Sequence, residues 1–387
     1  MKVGTRMIYL DNAATSFPKP ECVYNRTDTV QRMLSVNAGR GSYSLSREAT
    51  DIIESTRKNV ARLFAATNAT DVVFTPSATI ASNIVIGGLH FDRYKTVYIS
   101  PFEHNSVARP IELARQKYGF RTVLLPSLPN GDGIDLEETR ILFAKQHPDY
   151  VFINHISNVT GVVLPVEELS KLAHEYEAIV IADCAQSAGL VNVNLSAFYA
   201  DFIIFAGHKN LYSHFGVGGF VRNCNTELIP AFSGGTGSDS LNLDMPSREP
   251  GRFEFGSPNI LAIASLNEST TWLDQIGMDA IYEHKANLME LLYSGLKHQK
   301  KVSIYRDNTG KFCPSVLSFN VTGYRSDEVG MILDQDYGIA VRTGYHCAPY
   351  VHDCIGSKQF GGTVRVGIGY FNSVDDINSL LAAISEL

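Results

Sequence analysis

The chain has 387 residues, of which 44% are hydrophobic and 19% are charged, and its formal net charge at pH 7 is −7. This composition is typical of a folded globular protein and excludes disordered and fibrous chains, while the length favours at least two domains. Because no basic run is present to neutralise phosphates, the sequence also predicts no nucleic-acid partner.

The N-terminal segment, residues 1–11, lacks the charged, apolar and small-residue succession of a secretory signal peptide. No apolar stretch reaches the roughly 18 residues that a membrane-spanning helix needs. We therefore expect a cytoplasmic protein with no membrane contact. The 6 cysteines include no C-x-x-C pair, which predicts free thiols; they are Cys22, Cys184, Cys224, Cys313, Cys347 and Cys354.

Short apolar segments alternate with helical stretches between residues 71 and 221. This pattern predicts an α/β domain with a mainly parallel sheet of seven strands, covered on both faces. The predicted strands are 72–75, 96–100, 121–125, 150–154, 179–182, 201–205 and 217–221. In such a sheet the chemistry lies at the C-terminal ends of the strands, which are marked by Thr75, Ser100, Asn154, Asp183 and Lys209.

The first of these strands is followed by a run of small and hydroxyl residues, 76–83, that opens a helix. The backbone N–H groups, the helix dipole and the hydroxyl of Thr79 together favour binding of a phosphate dianion. An ordinary helix N-cap has the same pattern, so this segment indicates a phosphate site only in combination with the residues below.

His104 follows the second strand, in the segment 102–106, and is expected at the same edge of the sheet. A neutral imidazole there can stack on a pyridine ring or transfer protons. The alternative is a loop histidine with ordinary hydrogen-bond partners.

Asp183 and Lys209 follow two further strands. A lysine at the mouth of a buried strand is desolvated, which lowers its pKa and lets its amine form a Schiff base with a carbonyl cofactor. A carboxylate such as Asp183 raises the pKa of a pyridine nitrogen and keeps that ring protonated. The pair therefore predicts pyridoxal 5'-phosphate as the cofactor.

The composition turns to Gly, Ser and Pro between residues 233 and 258, which indicates a crossing between domains or subunits. A long helix is expected to start near Asn259, and strands at 315–321 and 363–367 predict a smaller C-terminal α+β domain. The resulting division is an N-terminal arm (1–20) that joins the small domain, a large domain (21–255) and a small domain (256–387).

A loop bounded by Gly and Pro carries Cys347 near the C-terminus. Flanking Arg342 and His346 favour its thiolate, which makes Cys347 the candidate nucleophile. Reading His346, Cys347, His352 and Cys354 as a metal site is disfavoured, because their spacing is too compressed for paired zinc ligands. Arg365, in the strand 363–367, is suited either to a substrate carboxylate or to a surface ion pair.

Taken together, these residues resemble the class V aminotransferase superfamily and, within it, the second group of cysteine desulfurases, whose relatives include enzymes acting on selenocysteine. The resemblance implies fold type I of pyridoxal-phosphate enzymes. It runs almost end to end, through the motifs at 9–15, 39–41, 45–46, 74–75, 103–104, 157–161, 183–186, 207–209, 252–259 and 342–348.

Carried over by position, the resemblance implies a role for each matching residue. Lys209 would be the Schiff-base lysine and the catalytic base, Cys347 the persulfide carrier, and His104 a stacking and proton-transferring residue. Cofactor contacts would come from Ala78, Thr79, Asp183 (pyridinium), Gln186 (ring hydroxyl), His208 and the partner subunit's Ser257, and substrate contacts from Ala13, Asn158 and Arg365.

The reaction implied is removal of sulfur from L-cysteine, which leaves L-alanine and a persulfide on Cys347. The resemblance further implies a homodimer with the site at the subunit boundary. A protein sulfur acceptor is a further expectation, and a relay of the persulfide from Cys347 to Cys354 is a separate hypothesis. The sequence departs from the family pattern at Ala206, Ile80 and Tyr43. Two alternatives therefore stay open: a selenocysteine lyase or other class V aminotransferase or lyase, and a cofactor-binding sulfur carrier or regulatory protein with poor turnover.

Overall fold

The computed structural model describes residues 7–39, 41–223, 226–237, 241–306 and 310–387. Arg40 of the 39–41 motif and Cys224 lie outside these residues. Within the described ranges, no helix is long and apolar enough to cross a membrane.

The strands of the described residues form a two-stranded, a four-stranded and a seven-stranded sheet. In chain order they are β1 (Ile8–Tyr9), β2 (Val72–Thr75), β3 (Thr96–Ile99), β4 (Arg121–Leu124), β5 (Tyr150–Asn154), β6 (Ile179–Asp183), β7 (Phe202–Ala206), β8 (Gly218–Arg222), β9 (Val302–Ile304), β10 (Val316–Val321), β11 (Ile339–Ala340), β12 (Arg342–Gly344) and β13 (Thr363–Gly367).

The helices begin at side-chain caps in several places, since the first N–H groups of a helix need acceptors. Ser77, Asn259 and Ser373 each accept such a bond. The helices are α1 (Glu21–Met33), α2 (Ser44–Leu63), α3 (Ala78–Gly88), α4 (Asn105–Tyr118), α5 (Leu136–Lys145), α6 (Val166–His174), α7 (Leu195–Phe198), α8 (Ile260–Ile276), α9 (Met278–Lys297), α10 (Ser326–Tyr337), α11 (Val351–Cys354) and α12 (Val374–Ser385). The helix expected near Asn259 is therefore confirmed as α8.

The seven strands predicted between residues 71 and 221 all form one sheet, in the order β2-β8-β7-β6-β5-β3-β4. Neighbours from β3 to β7 pair in parallel, whereas β8 is antiparallel to both β2 and β7. The prediction of a mainly parallel seven-stranded sheet is confirmed, with strand ends shifted by no more than a residue.

Alternate residues of the central strands point to opposite faces of this sheet, and both faces are buried. In β7, Ile203 and Phe205 pack into one core cluster, while Phe202 and Ile204 pack into another. A strand with apolar side chains on both faces requires helices on both sides. This explains the continuous apolar runs in the sequence.

The register of the sheet aligns the polar strand ends. Asn154 of β5 is paired with Asp183 of β6, and Gly218 is paired with both Ala206 and Thr75. The C-terminal edge of the sheet therefore presents these residues side by side, as expected for chemistry in an α/β sheet.

The C-terminal sheet is antiparallel, in the order β12-β13-β10-β9, and its core includes Leu288, Phe319, Val364 and Leu380. β1 pairs in parallel with β11, so the chain's first described strand lies against its C-terminal part. In the pairing of β12 with β13, Arg342 lies opposite Arg365.

Candidate active site

A cavity at the C-terminal edge of the large sheet brings most of the predicted site residues together. Its lining includes Ala13, Ala78, Thr79, His104, Asn158, Asp183, Gln186, His208, Lys209 and Arg365. These residues come from elements spread over most of the chain, and the sheet register brings their ends to one place.

Lys209 follows β7 and faces Asp183 at the end of β6. Burial lowers the pKa of Lys209 to about 8, against the opposing attraction of Asp183. Burial also raises the pKa of Asp183, while Lys209 and the N–H of Ala185, which donates to Oδ1 at 2.9 Å, act in the other direction. The pair thus provides a readily deprotonated amine and a carboxyl of fixed orientation in one cavity.

The start of α3 forms a cradle with β8. Ser77 caps the helix by accepting a bond from the N–H of Ile80, and a Cβ added to Gly218 would lie 2.8 Å from the backbone nitrogen of Ala78. Glycine is therefore required at this close approach. The first N–H groups of α3 and the absence of a side chain at position 218 suit a phosphate group.

His208 adds a ring nitrogen to this cradle. Its Nδ1 is buried without a partner among the described residues, and its ring stacks on Phe215 at 4.6 Å and 28°. Burial lowers its pKa to about 3, so the ring is neutral at ordinary pH. An unpartnered buried nitrogen beside the helix start fits a bound phosphate oxygen.

His104 is at once a helix cap and a wall of the cavity. Its Nδ1 accepts a bond from the N–H of Ser106 at 3.0 Å, and burial, followed by Lys209, lowers its pKa to about 3. Because Nδ1 is an acceptor, the neutral ring carries its proton on Nε2. The ring can therefore stack on a heterocycle and donate one hydrogen bond from Nε2.

One end of the Gln186 side-chain amide is hydrogen-bonded and the other is not. Nε2 donates to the carbonyl of Ala13 at 2.9 Å, whereas Oε1 is buried with no partner among the described residues. An orphaned acceptor in a cavity wall fits a ligand hydroxyl. The cradle and the free His208 nitrogen match the phosphate of pyridoxal phosphate, and this oxygen matches its ring hydroxyl.

Arg365 is almost fully buried, at 1% exposure, so it does not form the surface ion pair considered from the sequence. Nη2 pairs with Oδ1 of Asp11 at 2.6 Å, and Nη1 donates to the carbonyl of Asn158 at 3.0 Å. Nε is buried without a partner in the described structure. A guanidinium with a free donor in a cavity suits a carboxylate.

Asn158 connects this arginine to the Cys347 loop. Its Nδ2 donates to the carbonyl of His346 at 2.8 Å, and its Oδ1 is buried without a described partner. The side-chain amide of Asn158 is therefore hydrogen-bonded to the Cys347 loop, a contact that the sequence did not indicate.

Cys347 is exposed and does not line the cavity, although Arg342 does. Nη2 of Arg342 lies 3.3 Å from Cys347 Sγ, and the N–H of Asn105 donates to the Cys347 carbonyl at 2.7 Å. His346 and Cys347 both have positive φ, 47° and 57°, which turns the loop sharply. Arg342 thus joins the cavity to the candidate nucleophile.

The expectation that His346 helps to stabilise the thiolate is wrong. Burial lowers the pKa of His346 well below its usual value, so the ring is neutral and brings no positive charge to Cys347. Its Nε2 lies 2.8 Å from Thr363 Oγ1.

Two other residues of the disfavoured metal site contact serine hydroxyls. Nδ1 of His352 lies 2.7 Å from Ser357 Oγ, and Cys354 Sγ lies 3.5 Å from Ser127 Oγ.

Of four further residues, three lie outside this cavity and one lines it. Ser257 does not reach the cavity of its own chain; it lines a second, mainly apolar cavity together with Ile80. Tyr43 lines neither cavity. Ser106, which the sequence analysis missed, lines the first cavity and holds His104, and its only sequence signal is a hydroxyl two residues after the histidine.

Comparison with known proteins gives one consistent result. The family model described as Aminotransferase class-V matches residues 8–380. A probable cysteine desulfurase of Vibrio cholerae is 31% identical, covering 99% of this chain and 94% of that protein. One of Methanothermobacter thermautotrophicus is 32% identical over 98% of this chain and 94% of its own. The apo structure of the cysteine desulfurase from Thermococcus onnurineus NA1 superposes with a TM-score of 0.91 at 32% identity, covering 98% of this chain and 94% of that one.

Proposed function

The chain belongs to the class-V aminotransferase family, and from that premise we propose that it is a pyridoxal-phosphate-dependent cysteine desulfurase. It removes sulfur from L-cysteine to give L-alanine and a persulfide on Cys347. The observation that carries the proposal is the position of Arg342, which lines the cavity of Lys209 and Asp183 and also contacts Cys347 Sγ. The fold is fold type I of pyridoxal-phosphate enzymes, as the sequence predicted.

Different cavity residues would contact different parts of the cofactor. Asp183 would hold the pyridine nitrogen, His104 the ring face and Gln186 the ring hydroxyl. The phosphate would lie at the start of α3, with Ala78, Thr79 and His208. When bound, pyridoxal phosphate supplies a cationic ring that stabilises negative charge at the substrate α-carbon.

Lys209 carries out the proton transfers, and His104 assists. With a pKa of about 8, the Lys209 amine is neutral often enough near neutral pH to take the α-proton of the substrate. The protonated Lys209 amine can return that proton to the product as alanine forms, and His104 can assist by donating a hydrogen bond from Nε2–H. Lys209 thus acts first as base and then as acid, while His104 stays neutral.

Arg365 is proposed to bind the substrate carboxylate through its free Nε. Asn158 supports it from the carbonyl side and reaches the Cys347 loop through its amide. Ala13 closes the adjoining wall, because its buried side chain lines the same cavity. Asn158 therefore contacts both the proposed carboxylate-binding arginine and the loop that carries Cys347.

The sulfur transfer itself is carried out by Cys347. Its thiolate, stabilised by Arg342, attacks the substrate sulfur; a new S–S bond forms while the substrate C–S bond breaks and its electron pair stays with the carbon fragment. Protonation of that fragment gives alanine. Because Cys347 is exposed, the persulfide is accessible to a sulfur acceptor.

The localisation, the oligomeric state and the domain division are proposed by analogy with the same family. We propose a cytoplasmic homodimer in which the partner subunit's Ser257 completes the phosphate site, and the three-part division 1–20, 21–255 and 256–387. Support for the dimer is the large cavity around Ser257, whose mainly apolar lining includes Phe232 and Phe253. Sedimentation equilibrium tests this point, and a strictly monomeric active protein would contradict it.

The function is tested with L-cysteine on wild type and Cys347→Ala, after both are shown to bind the cofactor by their visible absorption. Alanine formed by wild type alone supports the proposal. Equal alanine from both would exclude the persulfide route and favour another lyase or aminotransferase. A parallel reaction with L-selenocysteine distinguishes the selenocysteine alternative, and a cofactor-loaded wild type without turnover would favour the carrier alternative.

A further inference from the structure

Two buried lysines flank Lys209, and the proposed reaction uses neither of them. Lys19 is 7% exposed and Lys285 is 0% exposed. Burial lowers the pKa of each to about 7, and within the described part of the chain no carboxylate offsets that burial. Burying an amine without a counter-charge is costly, so the contacts that each one makes need an explanation.

Lys285, on α9, starts a chain of hydrogen bonds into the cofactor cavity. Its Nζ donates to Oδ1 of Asn210 at 2.7 Å, and Nδ2 of Asn210 donates to the carbonyl of Gln186 at 2.7 Å. Asn210 directly follows Lys209, and Gln186 lines the cavity. The Lys285 amine, which lies outside the cavity, is therefore linked through Asn210 to two residues that line it, Lys209 and Gln186.

The amine also decides which way the Asn210 amide points. An asparagine amide has one accepting and one donating end, and its orientation is set by its neighbours. With Lys285 donating from one side, only Oδ1 can face α9, and Nδ2 must face Gln186. Without that donor the amide is free to turn, and its bond to Gln186 loosens.

Lys19 makes a different kind of contact. Its Nζ donates to the carbonyl of His208 at 2.8 Å and to Ser16 Oγ at 2.8 Å, and that hydroxyl donates in turn to the carbonyl of Lys209 at 3.0 Å. The His208 carbonyl also accepts from Thr15 Oγ1 at 2.9 Å and from the N–H of Ser16 at 3.1 Å. Loss of Lys19 leaves these donors in place. Asn210 Oδ1, in contrast, has Lys285 as its donor in the described structure.

We propose that Lys285 is a positioning residue for the cofactor site: through Asn210 it holds the backbone of Lys209 and Gln186 in the arrangement that binds pyridoxal phosphate. The inference rests on the proposed function, since it assumes that this cavity binds that cofactor. It concerns a residue that contacts neither cofactor nor substrate and acts only through Asn210.

The test compares Lys285→Met with Lys19→Met, which removes a second buried amine of similar pKa. Each full-length protein is purified with bound cofactor and diluted, and the decay of its visible absorption gives the rate of cofactor loss. We expect loss about tenfold faster in Lys285→Met, the effect of one hydrogen bond to a charged group, and within about twofold of wild type in Lys19→Met. Thermal unfolding of the cofactor-free proteins reports their stability separately.

Equal rates for wild type and Lys285→Met would overturn the inference, and so would equal acceleration by both variants, which indicates general destabilisation. Asn210→Asp provides a second arm, because it keeps an acceptor for Lys285 but removes the donor to Gln186. Faster cofactor loss and a shifted absorption maximum in this variant support the relay; wild-type behaviour overturns it. A wild-type protein that binds no pyridoxal phosphate would instead refute the proposed function.

Discussion

Arg342 and Arg365 lie opposite each other on the paired strands β12 and β13, and their side chains serve two different groups. Arg365 is tied to Asp11 and the carbonyl of Asn158, while Arg342 reaches Cys347 Sγ. Both line the cavity that contains Lys209. One strand pair therefore brings both arginines to the cavity of Lys209, one at the proposed carboxylate site and the other beside the proposed nucleophile.

Replacing Arg342 by Gln should slow alanine formation while leaving cofactor binding intact. Loss of a charged hydrogen bond to the thiolate corresponds to a decrease of roughly 10- to 100-fold. The rate of Cys347 alkylation by iodoacetamide should fall in parallel. As a control, Arg140→Gln removes an exposed ion pair with Glu175 and should change neither rate. Unchanged alkylation in Arg342→Gln would contradict the role of this guanidinium.

Replacing Arg365 by Lys should raise KM for L-cysteine by about tenfold or more with a smaller effect on kcat, because the fork of donors that holds Asp11, Asn158 and a carboxylate together is lost. Asp11→Asn should raise KM less, since it only loosens the guanidinium. Steady-state kinetics separate the two constants. An unchanged KM in Arg365→Lys would place the carboxylate elsewhere.

Loading of the cofactor should depend on pH through Lys209. Only the neutral amine reacts with an aldehyde, and burial lowers the pKa of this lysine to about 8. The loading rate of cofactor-free protein should therefore rise with pH and level off above about 8. Stopped-flow absorption measures it, with Lys209→Ala as the control that forms no covalent band. A midpoint near the ordinary lysine value of about 10.4 would show that burial has no such effect.

Adding a methyl group at Gly218 should weaken cofactor binding. Its Cβ would lie 2.8 Å from the nitrogen of Ala78 and 2.8 Å from the carbonyl oxygen of Phe205, so the start of α3 must shift. Overpacking of this kind costs about 1–3 kcal/mol. Gly234→Ala, which meets only Phe255 Cβ at 3.6 Å, is the matched control. Titration with pyridoxal phosphate measures the difference, and equal affinities would refute the cradle.

Much of the architecture follows from local patterns. Apolar runs of strand length, separated by helical stretches, predicted the central sheet, because only a sheet covered on both faces buries such runs completely. The same pattern placed Asp183 and Lys209 at one edge, since parallel strands end on the same side. Strand identity, strand ends and the pairing of the two key residues were therefore accessible from the sequence.

Contacts between distant segments were not. The bond from Arg365 to Asp11, the amide of Asn158 on His346 and the amine of Lys285 on Asn210 join residues with no shared local pattern. Burial likewise made His346 neutral, which no neighbouring residue in the sequence indicates.

The sequence by itself determined the period of its strands and the chemical identity of the groups that end them, because side-chain alternation and functional-group chemistry are local properties. Only the tertiary structure decided which donor meets which acceptor and which groups lose their charge. Hydrogen bonding and desolvation depend on distances of a few ångströms, and folding alone sets those distances between residues far apart in the chain.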